Sequence, residues 1–313
     1  MKIAILGTGA LGCLLAAKLQ KGHEVVMFGN WETQKEAIRS DGLWFTDLEE
    51  QQLKVSVRIG EIMEEGPRFD LVLVLVKSYQ TKRVALDAAR LIHLKNPEAR
   101  VITLQNGLGN AALLETQVPG RVLVGTTTVA AKIQKPGQVA HTGKGAVMLP
   151  RTTPEHLVQL FKKAGFEVKI TLNIESLIWT KLAVNAAINP ITAMLRVQNG
   201  ELLDHPESLK WMKAICAEVE AVARMQGIKI EPHPIFPYVK EVAAQTAKNR
   251  SSMLSDVETG RPTEIEAICE KVIEIAEDQG IAVPYLKQVY AGVKAAEQGR
   301  KFDFSELPLL IHN

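Results

Sequence analysis

Cysteine is scarce: three in 313 residues, Cys13, Cys216 and Cys269, far apart and in no C-x-x-C pair. That argues against a disulfide framework and a cysteine-built zinc site, and it fits a reducing, cytoplasmic compartment. No apolar run reaches the roughly 18 residues a membrane span needs. The chain opens on Lys2-Ile3-Ala4-Ile5-Leu6, without the basic and small-residue pattern of an export signal. Excess charge of one sign is missing too. Lys+Arg 37 against Asp+Glu 35 leaves +2 with no basic run, so nucleic acid is not an expected partner and small molecules are. The histidines stand at no metal-ligand spacing, and neither G-x-S-x-G nor a Ser/His/Asp pattern occurs, so no metal site and no hydrolase chemistry are expected. Internal repeats and low-complexity tracts are absent.

What is present fits a folded chain of two domains. Hydrophobic residues at 46% and charged ones at 23% support a sizeable core and exclude disorder. Residues 2–6 read as a buried strand, and Gly7-Thr8-Gly9-Ala10-Leu11-Gly12 opens a helix that runs to Lys21-Gly22. Residues 23–28 read as a second strand. A G-x-G-x-x-G pattern between strand and helix in such a βαβ unit binds a dinucleotide: Gly7 permits the turn, Gly9 lets the backbone approach a pyrophosphate, and Gly12 allows close helix–strand packing. The helix N-terminus adds unpaired N–H groups and partial positive charge.

The end of the second strand decides which nicotinamide cofactor fits. It reads Gly29-Asn30-Trp31, without an acid to repel a 2′-phosphate, while Asn30, Thr33 and Lys35 could donate to one. NADPH is therefore favoured. Glu32, 20 residues beyond Gly12, could instead bind a ribose, which keeps NADH open.

A helix over 34–40 and strand-like pieces at 43–45 and 53–58 follow. The run 70–76 suits a central parallel strand buried on both faces, and its end places Lys77 and Gln80 at the cofactor edge of an open sheet, although a solvated lysine at a helix start reads equally well. Strands at 101–104 and 122–124 end in Gln105-Asn106-Gly107 and Gly125-Thr126-Thr127-Thr128, converging on the same edge. A hairpin over 137–149 closed by Gly143–Gly145, a helix at 154–164 and a strand near Val168 complete the half. Beyond residue 171 every long segment has helical periodicity. The expected fold is α/β: a Rossmann-type N-terminal domain with a mostly parallel sheet, residues 1–171, followed by an all-α C-terminal domain, residues 172–313.

The sharpest chemistry in the second half lies between Trp179 and Pro190. Lys181, Asn185 and Asn189 are spaced i, i+4, i+8, one stripe on an otherwise apolar helix that Pro190 is expected to end. A buried polar group without a partner costs about 2–7 kcal/mol, so the stripe either faces a ligand or consists of a snorkelling lysine and two capping asparagines. Farther on, Thr263-Glu264-Ile265-Glu266 matches a capping box, which gives Glu264 a purely structural account as a first-turn acid.

Taken in order, Gly7–Gly12, Lys77-Ser78-Tyr79-Gln80, Gln105-Asn106-Gly107, the Lys181-x-x-x-Asn185-x-x-x-Asn189-Pro190 stretch, Asn199-Gly200-Glu201-Leu202, Ser251-Ser252-Met253 and Thr263-Glu264-Ile265 make the chain resemble the ketopantoate reductases over nearly its whole length. The resemblance implies NADPH-dependent reduction of 2-dehydropantoate to (R)-pantoate, on the way to pantothenate and coenzyme A. It implies Lys181 as catalytic acid, with Glu264 orienting it or touching the cofactor. Asn106, Asn185, Asn189, Asn199 and Ser252 would surround substrate together with Lys181. Gly7, Thr8, Gly9, Ala10, Leu11, Gly12, Asn30, Lys77, Gln80, Asn106 and Glu264 would serve the cofactor. Asn30 stands where a family member reading the 2′-phosphate would carry arginine. Two other readings stay open: a reductase of a different 2-oxo acid on the same fold, and a nicotinamide-binding sensor without turnover. Apolar helical faces leave a homodimer open as well.

Overall fold

The computed structural model describes residues 1–63, 66 and 68–311. It contains two compact units, one of Met1–Gln105 with Asn110–Ile174, the other of Asn106–Gly109 with Glu175–Asn313.

The first unit is built on a six-stranded parallel sheet: β1 (Lys2–Leu6), β2 (Glu24–Phe28), β3 (Arg58–Ile59), β4 (Leu71–Val74), β5 (Arg100–Thr103) and β6 (Val122–Val124), in spatial order β3-β2-β1-β4-β5-β6. The outward order from β1 in both directions marks a doubly wound sheet with its switch point between β1 and β4. Register brings the carboxyl ends into line: Leu6 lies beside Phe28 and Val74, Val74 beside Thr103, and Thr103 beside Val124. β4 is apolar and buried throughout because helices cover both faces. Helix Ala10–Leu19 follows the same logic, with seven buried residues under the sheet.

The segment after the parallel sheet departs from the expected hairpin over 137–149. Gln138–Gly143 turns back on Ala130–Lys135 through Pro136-Gly137, and its other edge joins Leu43–Thr46 in parallel. Ala146–Pro150 belongs to another sheet, between Glu167–Thr171 and Thr126–Thr127. The Gly143–Gly145 turn is therefore not a hairpin turn. A Cβ on Gly145 would overlap the Thr128 backbone, so this glycine answers a packing demand, whereas Gly137, at φ +77, supplies the left-handed residue that a two-residue turn requires.

The second unit is helical, centred on Ile174–Leu195 and Pro206–Met225, with a core that includes Trp211, Ile215, Val219, Met194 and Val289. Helix Ile174–Leu195 does not end at Pro190 but runs five residues further. An interior proline costs about 3 kcal/mol in an isolated helix. Here 188–195 are all buried, and burial at about 25 cal/mol per Å2 offsets that cost. No helix among the described residues is long and apolar enough to cross a membrane.

Candidate active site

In the first unit the glycine loop has the shape its pattern predicts. Gly7, at φ +128, donates its N–H to Phe28 O at 2.8 Å, and a Cβ there would sit 2.8 Å from the Leu75 carbonyl. A Cβ on Gly12 would overlap Gly7 O. Gly9 differs: no protein atom lies within 4 Å of its missing Cβ. It stands at the N-cap of helix Ala10–Leu19, where, as at any helix start, the first-turn N–H groups have no partner within the helix. Thr8 is buried against Gly29, and half-buried Ala10 and Leu11 begin the helix. Cys13 accepts from Gln34 Nε2 at 3.2 Å, and burial pushes its thiol up to about 12, an inert anchor beneath the loop. Space at Gly9 and close approach at Gly7 and Gly12 fit the pyrophosphate of a dinucleotide.

Lys77, Gln80 and Asn30, the other residues expected to serve a cofactor, stand on the same sheet edge. Lys77 precedes the short turn Ser78–Gln80, and both Lys77 and Gln80 are half-buried. Asn30 is exposed beyond β2. Lys35 is not an open phosphate donor: its Nζ lies 2.7 Å from Glu32 Oε1 and 3.4 Å from Glu61 Oε1. Gln105, in the sequence only one residue of a turn, has a structural role of its own. Its Nε2 donates to Val76 O and Thr81 Oγ1, both at 2.8 Å, tying the ends of β4 and β5 together.

In the second unit Lys181 sits on helix Ile174–Leu195 between buried Thr180 and Leu182. Desolvation by the packed helix lowers its ammonium to about 8, and the Glu264 carboxylate pulls in the opposite direction. Glu264 is 6% exposed, and its Oε2 accepts from Asn106 Nδ2 at 3.1 Å. The segment carrying Asn106 is seated by Leu108 N–H donating to Ala267 O at 2.8 Å. Gly107 at φ +79 approaches Ala267 so closely that a Cβ would overlap its backbone.

The expected capping box does not form. Thr263 N–H goes to Glu297 Oε1 at 2.8 Å, Thr263 Oγ1 accepts from Ile265 N, and Glu266 turns to Lys294 at 2.9 Å. Glu266 is exposed enough to find a cation, and that charge-assisted bond outcompetes a cap. Glu264 is thereby left as a buried acid coupled to Lys181 and Asn106, not a solvated first-turn residue.

The remaining polar residues are distributed around the same helix. Asn185 is half-buried one turn after Lys181, and Asn189 is buried one turn later. Thr192 Oγ1 lies 2.9 Å from Asn189 O and 2.8 Å from Ser251 Oγ, joining the helix to the cap of Ser252–Glu258. Ser252 itself is exposed at that helix start. Asn199 donates Nδ2 to Thr246 Oγ1 at 2.9 Å, while its buried Oδ1 has no protein partner. The geometry offers a partly desolvated cation, a buried carboxylate and neutral amides, a set suited to a small anionic molecule whose oxygen gains charge.

The models described as "Ketopantoate reductase PanE/ApbA" and "Ketopantoate reductase PanE/ApbA C terminal" match residues 3–154 and 173–297. A 2-dehydropantoate 2-reductase of Halobacterium salinarum is 33% identical over 306 residues, covering 95% of this chain and 99% of that protein. One of Bacillus subtilis is 32% identical over 305 residues, covering 95% and 98%. Among solved structures, a PanE/ApbA family ketopantoate reductase from Ralstonia eutropha matches with a TM-score of 0.88 at 28% identity, over 96% of this chain and 99% of that one. A ternary complex of D-mandelate dehydrogenase with NADH and anilino(oxo)acetate also reaches a TM-score of 0.88, at 26% identity and the same coverage. With family models spanning both units and relatives aligned end to end, the chain belongs to the ketopantoate reductase family.

Proposed function

We propose that the protein is an NAD(P)H-dependent oxidoreductase that reduces 2-dehydropantoate to (R)-pantoate, the activity its relatives are named for. The observation that carries the reading is the coupled set Lys181, Glu264 and Asn106 within the second unit; the first unit separately carries a glycine loop whose open position at Gly9 fits a pyrophosphate.

When bound, the nicotinamide supplies a hydride to C2 of the 2-oxo acid. Lys181 meets the charge that develops on the former carbonyl oxygen and gives it a proton from Nζ, so carbonyl, hydride and proton balance to an alcohol. Glu264 keeps Lys181 protonated against the desolvation that lowers it, and Asn106 holds Glu264 in place. Asn185, Asn189, Asn199 and Ser252 supply neutral donors and acceptors for the substrate's hydroxyl and carboxylate. Gly7, Thr8, Gly9, Ala10, Leu11 and Gly12 hold the pyrophosphate, Lys77 and Gln80 extend that edge, and the proposed cofactor is a reduced nicotinamide dinucleotide, NADPH or NADH. Residues 1–171 act as the dinucleotide-binding domain and 172–313 as the substrate domain. All three cysteines are buried free thiols, which supports a cytoplasmic setting.

A second reading follows from the D-mandelate dehydrogenase likeness: the same machinery with an aryl 2-oxo acid as substrate. Initial rates of dinucleotide oxidation with 2-dehydropantoate, 2-oxoisovalerate and phenylpyruvate, under NADPH and NADH, separate the two. Preference for 2-dehydropantoate that collapses in Lys181→Ala supports the proposal. Turnover only with phenylpyruvate moves the substrate and keeps the mechanism, and cofactor binding without turnover on any acid discards the enzyme.

A further inference from the structure

Helix Glu32–Asp41 leaves the carboxyl end of β2 with Lys35 and Arg39 four residues apart, hence on one face. Both cations address a single carboxylate oxygen: Glu61 Oε1 lies 3.4 Å from Lys35 Nζ and is hydrogen-bonded by Arg39 Nη2. Glu61 reaches that position because β3 pairs with β2 and Gly60 donates its N–H to Met27 O at 2.9 Å. Gly60 packs so tightly on β2 that a Cβ would sit 2.7 Å from Val26 Cγ1. Its neighbour is thus held alongside Phe28 and Gly29. The Lys35 side chain, 4% exposed, is fixed in place, whereas that of Glu61, at 64%, can swing out.

Two cations converging on one oxygen form a site that suits a phosphate as well as a carboxylate. It stands where a doubly wound sheet distinguishes a ribose 2′-OH from a 2′-phosphate. Counting Glu32, which also pairs with Lys35, two acids and two bases leave the cluster neutral, with no surplus charge for a phosphate dianion while Glu61 is seated. The cations hold the Glu61 carboxyl below its ordinary range, so it is ionised at neutral pH.

We propose that Glu61 sets this chain's choice between dinucleotides with and without a 2′-phosphate: its carboxylate fills the anion seat built by Lys35 and Arg39, and a 2′-phosphate enters only by displacing it. The inference rests on reading the first unit as dinucleotide-binding, and it adds a specificity residue that lies far from the glycine loop in sequence.

The test is isothermal titration of the full-length protein with NADPH, NADH, adenosine 2′-monophosphate and adenosine 5′-monophosphate, for the native chain, Glu61→Gln, Glu61→Ala and the double variant Glu61→Gln/Arg39→Ala. Exposure of Glu61 lets these variants fold, and unfolding midpoints check it. Both single variants are expected to bind NADPH and the 2′-monophosphate about tenfold tighter, the gain of roughly one charge-assisted contact, with NADH and the 5′-monophosphate changed less than about twofold. The double variant loses that gain. An unmoved NADPH-to-NADH ratio, or an equal gain for both, overturns the role of Glu61 and leaves the dinucleotide reading standing. Failure of the native chain and every variant to bind either dinucleotide overturns both.

Discussion

Lys181 carries two opposed requirements in one atom. In its proposed role as the acid it must be protonated, yet its packed helix lowers Nζ to about 8. A cation is lost as pH rises through its pKa, so kcat/KM for 2-oxo acid reduction is expected to be flat below pH 8 and to fall above it, a limb read from a pH–rate profile. Lys181→Ala should lower kcat by about 10²- to 10⁴-fold with dinucleotide affinity retained. In Glu264→Gln the attraction that raises Lys181 is gone while an amide oxygen can still accept from Asn106. Its falling limb should appear at lower pH than in the native enzyme, and an unmoved limb would deny the coupling. The i, i+4, i+8 spacing made this stripe legible because a helix turns local spacing into a face. Glu61 was not legible: it is 26 residues from Lys35, and only the pairing of β3 with β2 joins them.

At the level of elements, the glycine loop separates open space at Gly9 from packed space at Gly7 and Gly12. Gly12→Ala must push a Cβ into Gly7 O, so the helix has to shift and stability should drop by about 1–3 kcal/mol. Gly9→Ala meets no protein atom, so its unfolding midpoint should match the native chain while NADPH and NADH bind at least about tenfold more weakly. Thermal melts alongside titrations decide this, and a destabilised Gly9→Ala with undiminished binding would refute it. The parallel strands were readable because burial on both faces leaves continuous apolar runs such as Leu71–Val74. Pro190 and the 137–149 segment were misread for a shared reason. A proline or a glycine is a local signal, and tertiary packing overrode it in one case and explained it differently in the other.

On the scale of the whole chain, the ordered motifs made family and fold legible, whereas the balance of buried charge was not, because it depends on contacts between distant helices. Glu218 of helix Pro206–Met225 accepts the N–H groups of Tyr285 and Leu286, at 2.9 and 2.8 Å, at the start of helix Pro284–Glu297. Desolvation nevertheless outweighs those bonds and raises its carboxyl to about 7. Between the ordinary carboxylate pKa of 4.5 and 7 the folded chain holds more protons than the unfolded one, so this group's contribution to stability falls as pH rises through that window. Lys181 behaves oppositely. Its depressed pKa means the unfolded chain holds more protons from about 8 to 10.5, and its contribution rises there. Together they place the least favourable balance of these two buried groups near pH 7–8, where both are charged. Glu218→Gln isolates the first term. An amide has one acceptor for two N–H donors, so the variant should be less stable than the native chain at pH 5, by about 1–3 kcal/mol. That deficit should shrink or vanish by pH 8, as the native carboxylate ionises and loses up to a few kcal/mol of its advantage. Urea unfolding of both proteins at pH 5, 6, 7 and 8 reads the difference directly, and a deficit that stays constant or grows with pH would show that the two N–H bonds, not desolvation, control Glu218.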